Sequence, residues 1–266
     1  MLRRVFLFPF LAACLALPAL AALGCNERQA TTYPIWQPEV QPPPRTYNTT
    51  PESTSQLLQD SSEAVKGKYP STEGVHFTLE TLITSNGQQS AWHAEGDIEF
   101  PDRVKMAARN FLMTETVSQD AIHLEGQEFV KDGGADAAWH AGSPQLPTPD
   151  PQSIVDFLDF TRSSRNFGQE TLAGGQKTWH VQVNVDTAML AEAALNRTTD
   201  QSEAQRLDSL KADTVTVDFW IGGDDRLPQQ MVVKLADPAA SRTEQQTYVF
   251  SNWNEHPPIA RPCSDC

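Results

Sequence analysis

Residues 75–100 read VHFTLETLITSNGQQSAWHAEGDIEF, and their hydrophobic period is two. Val75, Phe77, Leu79 and Ile83 alternate with His76, Thr78 and Glu80, and Trp92, Ala94, Gly96, Ile98 and Phe100 alternate with His93, Glu95, Asp97 and Glu99. Alternation of this kind puts one set of side chains on a buried face and the other in water. Ser85-Asn86-Gly87 between the two runs supplies a hairpin turn, because Asn-Gly accepts the positive φ angles that match strand twist. The stretch is an antiparallel hairpin with one dry face, and a dry face needs a cover.

The same pattern continues in the C-terminal direction. Pro101-Asp102-Arg103 turns into a third strand, Val104 to Met113, and weaker strands cover about 117–124 and 127–132. Pro147 to Pro151 is a stiff loop, after which Ile154, Phe157, Leu158 and Thr161 predict a short amphipathic helix. Strands follow at about 167–173 and 178–185, hinged at Gly174-Gly175, with Trp179, Val181, Val183 and Val185 opposite His180, Gln182 and Asn184. Residues 187–211 predict a third helical region, broken near Asn196 to Asp200. Three strands close the chain at 213–221, 229–236 and 243–252, the first with Val215, Val217, Phe219 and Ile221 inward.

On the N-terminal side lies a first helix, with Ser53 or Thr54 as its N-cap. Leu57, Leu58, Ser61, Ala64 and Val65 form its apolar stripe, and Gly67 and Pro70 stop it. The expected class is α+β: a large curved antiparallel sheet, a half-barrel of about ten or eleven strands, covered on its concave face by a few helices. Helices near 54, 154 and 190 are few for so large a sheet, so an apolar cavity is expected between the layers.

The first two dozen residues differ from the rest. Arg3 and Arg4 precede an apolar run from Val5 to Leu23, the layout of a secretory signal peptide. It ends in Ala22-Leu23-Gly24-Cys25, which resembles a bacterial lipobox whose cysteine is acylated, with palmitate-type chains, and becomes the first mature residue. Ala22 stands where leucine is more usual. Leu11-Ala12-Ala13-Cys14 fits the box better by letter but leaves too short an apolar run before it. The alternative is an ordinary secretory peptide with a stray cysteine.

The expected organisation is therefore a signal peptide over 1–24, a Pro-rich linker over 25–52 from the lipidated Cys25, a domain over 53–262 and a Cys-x-x-Cys tail over 263–266. The linker, with six prolines among Thr, Gln and Asn, cannot bury a core. In polyproline geometry it reaches up to roughly 80 Å from its anchor.

Charge narrows the function. The chain holds 20 Lys and Arg against 34 Asp and Glu, a net −14, and removing Arg3 and Arg4 with residues 1–24 takes it to −16. Such a surface excludes a nucleic-acid protein, which needs basic residues against phosphate. It is also repelled by anionic headgroups, so a lipid tether suits it better than adsorption. Beyond the N-terminus no apolar run approaches the ~18 residues that cross a bilayer.

The order of elements resembles the LppX/LprAFG lipoproteins, within the wider LolA/LolB-like group of envelope lipid carriers. The residues that carry the resemblance are Ala94-Glu95-Gly96-Asp97-Ile98-Glu99-Phe100-Pro101-Asp102-Arg103-Val104-Lys105 and Phe129 to Trp139. Val215 to Ile221 with Asp224-Asp225-Arg226-Leu227-Pro228, and the ending from Tyr248-Val249-Phe250-Ser251 to Pro257-Pro258-Ile259-Ala260-Arg261-Pro262, complete it. The resemblance spans most of 53–262 and implies a half-barrel wrapped on a helical lid, with a cavity for acyl lipid or glycolipid in transit through the envelope. The long linker and the cysteine tail depart from the pattern.

No cavity residue follows from a motif. The candidates for lipid binding are inward positions near mid-strand or on the lid: Phe77, Leu79, Met106, Phe157, Leu158, Val183, Val217 and Phe219. For each, plain core packing is the competing reading.

Catalytic motifs are missing. The sequence holds no Gly-x-Ser-x-Gly elbow, Walker loop, His-Glu-x-x-His helix or dinucleotide fingerprint, so no enzyme, no catalytic residue and no cofactor is expected. Trp-His recurs at 92–93, 139–140 and 179–180, but the flanks do not repeat, and six scattered histidines lack metal-ligand spacing. Asp224-Asp225 sits in a Gly-Gly-Asp-Asp-Arg turn that turn chemistry explains, with weak calcium binding as the other reading. Cys263 and Cys266 read as a small-ring disulfide in an oxidising envelope, or as intermolecular links.

The expected function is a lipid-anchored envelope protein, on the extracytoplasmic side of the cell membrane or at the cell surface. It binds acyl lipid or glycolipid by hydrophobic enclosure and carries it with a transport partner. The alternative is a non-carrier lipoprotein acting as a sensor or protein-interaction scaffold.

Overall fold

The structure, a computed structural model, describes residues 53–71, 73–110, 117–133, 136–197, 214–237, 239–255 and 258–263. The signal peptide, Cys14, Cys25, the linker, the second half of the third helical region and Cys266 lie outside the described residues.

Helix α1 (Thr54–Lys66) begins where the sequence places it. Ser53 is the N-cap, its Oγ accepting from Gln56 N at 3.1 Å, a cap that contributes about 1 kcal/mol. At the other end the Gly67 N–H donates to the Glu63 carbonyl at 2.8 Å. Five strands follow: β1 (Gly74–Ser85), β2 (Gln88–Glu99), β3 (Arg103–Asn110), β4 (Ser118–Leu124) and β5 (Gln127–Asp132). The β1–β2 turn has φ of 51° at Asn86 and 79° at Gly87, and Glu125-Gly126 repeats it at 53° and 74° between β4 and β5. Two successive positive φ angles are what a two-residue hairpin of the type I′ kind requires.

After the two-residue strand β6 (His140–Ala141) the chain crosses by α2 (Gln152–Asp159) to the far edge of the sheet. It returns inward through β7 (Thr161–Thr171), β8 (Lys177–Val185), helix α3 (Thr187–Leu195), β9 (Thr214–Gly222), β10 (Pro228–Asp237) and β11 (Arg242–Ser251). The result is one open antiparallel half-barrel sheet of eleven strands in the order β6-β5-β4-β3-β2-β1-β11-β10-β9-β8-β7. The first and last strands meet at its centre, where Phe77 faces Phe250 and Leu79 faces Tyr248.

Register assigns every side chain to a face. Phe77, Leu79, Met106, Val183, Val217, Phe219, Met231, Tyr248 and Phe250 lie inward, buried in one apolar cluster with Leu57, Leu58 and Val65 of α1 and Ile154, Val155, Phe157 and Leu158 of α2. A smaller cluster of Ile122, Phe129 and Ile259 lies on the outer face, where residues 258–263 run across β4 and β5. There Arg261 stacks 5.1 Å above the Phe129 ring, and buried Glu99 accepts from Ile259 N at 2.9 Å and from Arg103 Nη1 at 2.7 Å.

The expected elements differ from the observed ones in two places. β7 starts at Thr161, not near 167, and Thr161 leaves the α2 stripe: its Oγ1 donates to the Leu158 carbonyl at 3.1 Å instead. The segment Thr161 to Asn166 is polar throughout and mostly exposed, because β7 is an edge strand, so no alternation marks it. β6 is too short to leave a pattern. Within the third helical region, α3 ends at Leu195, and Asn196 caps it where the break is expected.

Candidate functional site

The eight inward candidates all fall in the layer between the sheet and the helices. Phe77, Val183, Val217 and Phe219 have no exposure, Leu79 and Met106 have 1 and 2%, and the α2 residues Leu158 and Phe157 have 4 and 9%. The most exposed member is thus on the helical cover rather than on the sheet.

Polar side chains tie the cover together. Asp159 at the end of α2 accepts from Ser62 Oγ and from Lys66 Nζ of α1, each at 2.6 Å. Tyr69 OH donates to Gln152 Oε1 at 2.8 Å, and Arg197 beyond α3 reaches Asp156 Oδ2 at 2.6 Å. Burial, followed by the carboxylates of Asp156, Asp159 and Asp150, pushes the Tyr69 phenol up to about 12, although its bond to Gln152 works the other way. These bonds make α1, α2 and α3 one polar-stapled unit, whereas α1 and α2 meet the sheet through the apolar cluster.

Within the layer are features that periodicity does not reveal. Tyr69, Phe100, Trp253, Phe250 and Tyr248 form a string of rings with successive centroids 5.9, 5.9, 6.0 and 5.9 Å apart. Burial, then the Glu244 and Asp150 carboxylates, pushes the Tyr248 phenol far above its ordinary value. Ser61 Oγ on α1 and Thr81 Oγ1 on β1 are buried with no hydrogen-bond partner among the described residues. A buried hydroxyl without a partner costs about 1–3 kcal/mol.

The outer face holds a second constellation. His180 lies opposite Trp179 on β8 as expected, but it is not a plain surface residue. Its ring is stacked between Phe167 at 4.7 Å and Trp220 at 4.3 Å. Nδ1 meets Glu170 Oε1 at 3.2 Å and Nε2 meets Asp218 Oδ1 at 3.1 Å. Lys234 Nζ and Gln182 Nε2 donate to the same Asp218 at 3.1 and 3.0 Å. Burial raises the Asp218 carboxyl, but the bonds from His180 and Lys234 outweigh it and hold it below the usual carboxylate value. The partners lie 10 and 38 residues away from His180 in the chain, so only strand register brings them together.

In the Gly222–Pro228 turn, Asp225 accepts from Leu227 N at 3.0 Å and from Gln229 Nε2 at 3.2 Å, which is a turn-stabilising role. Cys263 is disulfide-bonded. Among the described residues no three His, Cys, Asp or Glu side chains converge to hold a metal ion, and no helix is long and apolar enough to cross a membrane.

The chain matches no family model and no curated protein. Solved structures do match. LprF from Mycobacterium bovis is 16% identical, with a TM-score of 0.50 over 79% of this chain and 97% of LprF. The fold is that of LprF. The likeness to the LppX/LprAFG lipoproteins therefore stands as a likeness of fold, with the LprF-like sheet spanning nearly all of its counterpart. Two looser matches are a LolA superfamily protein from Nitrosomonas europaea and MucB with MucA from Pseudomonas aeruginosa. The first is 8% identical, with a TM-score of 0.31 over 76% of this chain and 93% of that one. The second is 15% identical, with a TM-score of 0.33 over 79% of this chain and 59% of that one.

Proposed function

We propose that this protein binds acyl lipid or glycolipid between the sheet and its helical cover and carries it within the cell envelope. The observation that carries the reading is the division of forces in that layer. The helices are stapled to one another by Asp159, Gln152 and Asp156, while α1 and α2 meet the sheet through apolar side chains. Such a cover lifts as a unit without stranding its own charges, and the slot it opens is apolar on both walls. An acyl chain entering the slot gains about 0.8 kcal/mol per buried methylene. Phe157 and Leu158 on the cover, and Phe77, Leu79, Met106, Val183, Val217 and Phe219 on the sheet, are the residues assigned to the chain. Ser61 and Thr81 supply hydroxyls for a lipid ester. No catalytic step belongs to this reading.

The N-terminal features complete it. Residues 1–24 act as a lipoprotein signal peptide, Cys25 carries the acyl anchor, and residues up to 52 are the spacer that holds the domain outside the membrane. A transport partner in the envelope would hand over or receive the cargo.

A second reading, a lipoprotein that senses or scaffolds without carrying lipid, is favoured by the near-complete burial of the eight candidates. Native mass spectrometry of residues 26–266, purified without detergent, separates the two. Co-purified masses that extract as acyl lipids support the carrier. A bare protein mass that takes up nothing from added envelope lipids would leave the sensor or scaffold.

A further inference from the structure

The outer face of the sheet is divided by charge. Over β1 to β3 it carries Glu80, Glu95, Asp97, Lys105 and Arg109 with His76 and His93. Over the other half, on β1, β11, β10, β9 and β8, a groove of about 540 Å3 crosses five strands. At about 4.8 Å per strand its length is roughly 19 Å, and its volume falls in the range of small-ligand sites.

Register shows how the floor is built. One row is Thr84, Thr243, Ala236 and Thr214, successive cross-strand neighbours on β1, β11, β10 and β9. Short side chains side by side make this row the trough. The adjacent row is Gln245, Lys234, Thr216 and Asn184, across β11, β10, β9 and β8. Thr216 Oγ1 donates to Asn184 Oδ1 at 3.2 Å, which fixes the amide. On this face Lys234 is the charge that lines the groove, and Asp218 compensates it at 3.1 Å, whereas the Glu244 side chain falls on the inward face by register, where Arg242 meets it at 2.6 Å.

Hydroxyls donate and accept, amides offer fixed donors and acceptors side by side, and neither carries a net charge. Leu82 adds an apolar patch at one end of the groove. We propose that this outer groove is a binding site for a neutral saccharide strand. Each sugar hydroxyl there meets a threonine or amide, and a C–H face meets the Leu82 side chain. The site lies on the opposite face from the proposed lipid layer and does not depend on it.

The test applies the full chain, in detergent micelles, to an array of neutral glucan, mannan, galactan and arabinan oligosaccharides beside uronic-acid oligosaccharides. Retention of at least one neutral oligosaccharide is expected. Ala236→Phe fills the trough and is expected to abolish it, while Gln245→Ala weakens it about 2- to 12-fold, the worth of one hydrogen bond. Glu80→Gln, outside the groove, leaves it unchanged. Thermal unfolding of each variant confirms the fold, as these side chains lie outside the core. The proposal is overturned if no neutral oligosaccharide is retained, if only acidic ones are, or if a folded Ala236→Phe binds as well as the parent.

Discussion

The His180 imidazole stands 3.1 Å from the Asp218 carboxylate across the β8–β9 pair, and Asp218 is 95% buried where they meet. Lys234 reaches the other Asp218 oxygen from β10. One carboxylate thus joins three neighbouring strands on the face of the sheet that the helices do not cover.

Asp218 sets an acid limit to stability. Its folded pKa lies below the unfolded value of 3.8, so the carboxylate contributes stability above that value and loses it as pH falls through the folded pKa. The urea midpoint of the parent protein should therefore fall steeply below about pH 4. Asp218→Asn should be less stable by about 1–3 kcal/mol at neutral pH and flatter in acid. Parallel curves for the two proteins would contradict the assignment.

Tyr69 sets an alkaline one. The unfolded phenol ionises near 10 and the folded one near 12, so stability drains away as pH rises between those values. Tyrosinate absorbance of the folded chain should show Tyr69 titrating late. Tyr69→Phe should remove that late step and soften the alkaline loss of stability.

Gly96 lies on β2 with its inward side against β3. A Cβ there would overlap the Lys105 carbonyl and the Met106 Cα, both backbone atoms of the paired strand. Gly96→Ala must push β3 away and should cost at least about 1–3 kcal/mol, as overpacking does. Chemical denaturation measures it directly; a change below a few tenths would show that β3 is free to shift.

Sheet and cover residues should behave differently. Phe219→Ala, on an interior strand with no exposure, should cost about 3–5 kcal/mol. Phe157→Ala, on α2 with 9% exposure, should cost less and should lower the amount of acyl lipid bound. Equal losses of stability with unchanged lipid would make Phe157 ordinary core.

Much of this fold is legible in the chain because its cues are local. The 75–100 hairpin announces itself by alternation and Asn-Gly, α1 by Ser53 and Gly67, and β9 by Val215, Val217, Phe219 and Ile221. What is not legible depends on partners far off in sequence. The polar start of β7 has no inward set to read because it is an edge. The His180 constellation comes into being only when register aligns β7, β8, β9 and β10, and the threonine row of the groove only when it aligns β1 with the last three strands. The aromatic string from Tyr69 to Tyr248 joins the turn after α1 to the last strand in the same way. The eight inward candidates are legible as buried. Their division between packing and cargo is not, because both demand the same apolar side chains.

The most direct test is photo-crosslinking with a phospholipid whose acyl chain carries a diazirine, followed by peptide mapping. The account predicts adducts on α2 at Phe157 or Leu158 together with inward positions of β9 such as Phe219. Adducts confined to the outer face, or none above a detergent-competed background, would contradict an acyl chain held between the sheet and its cover.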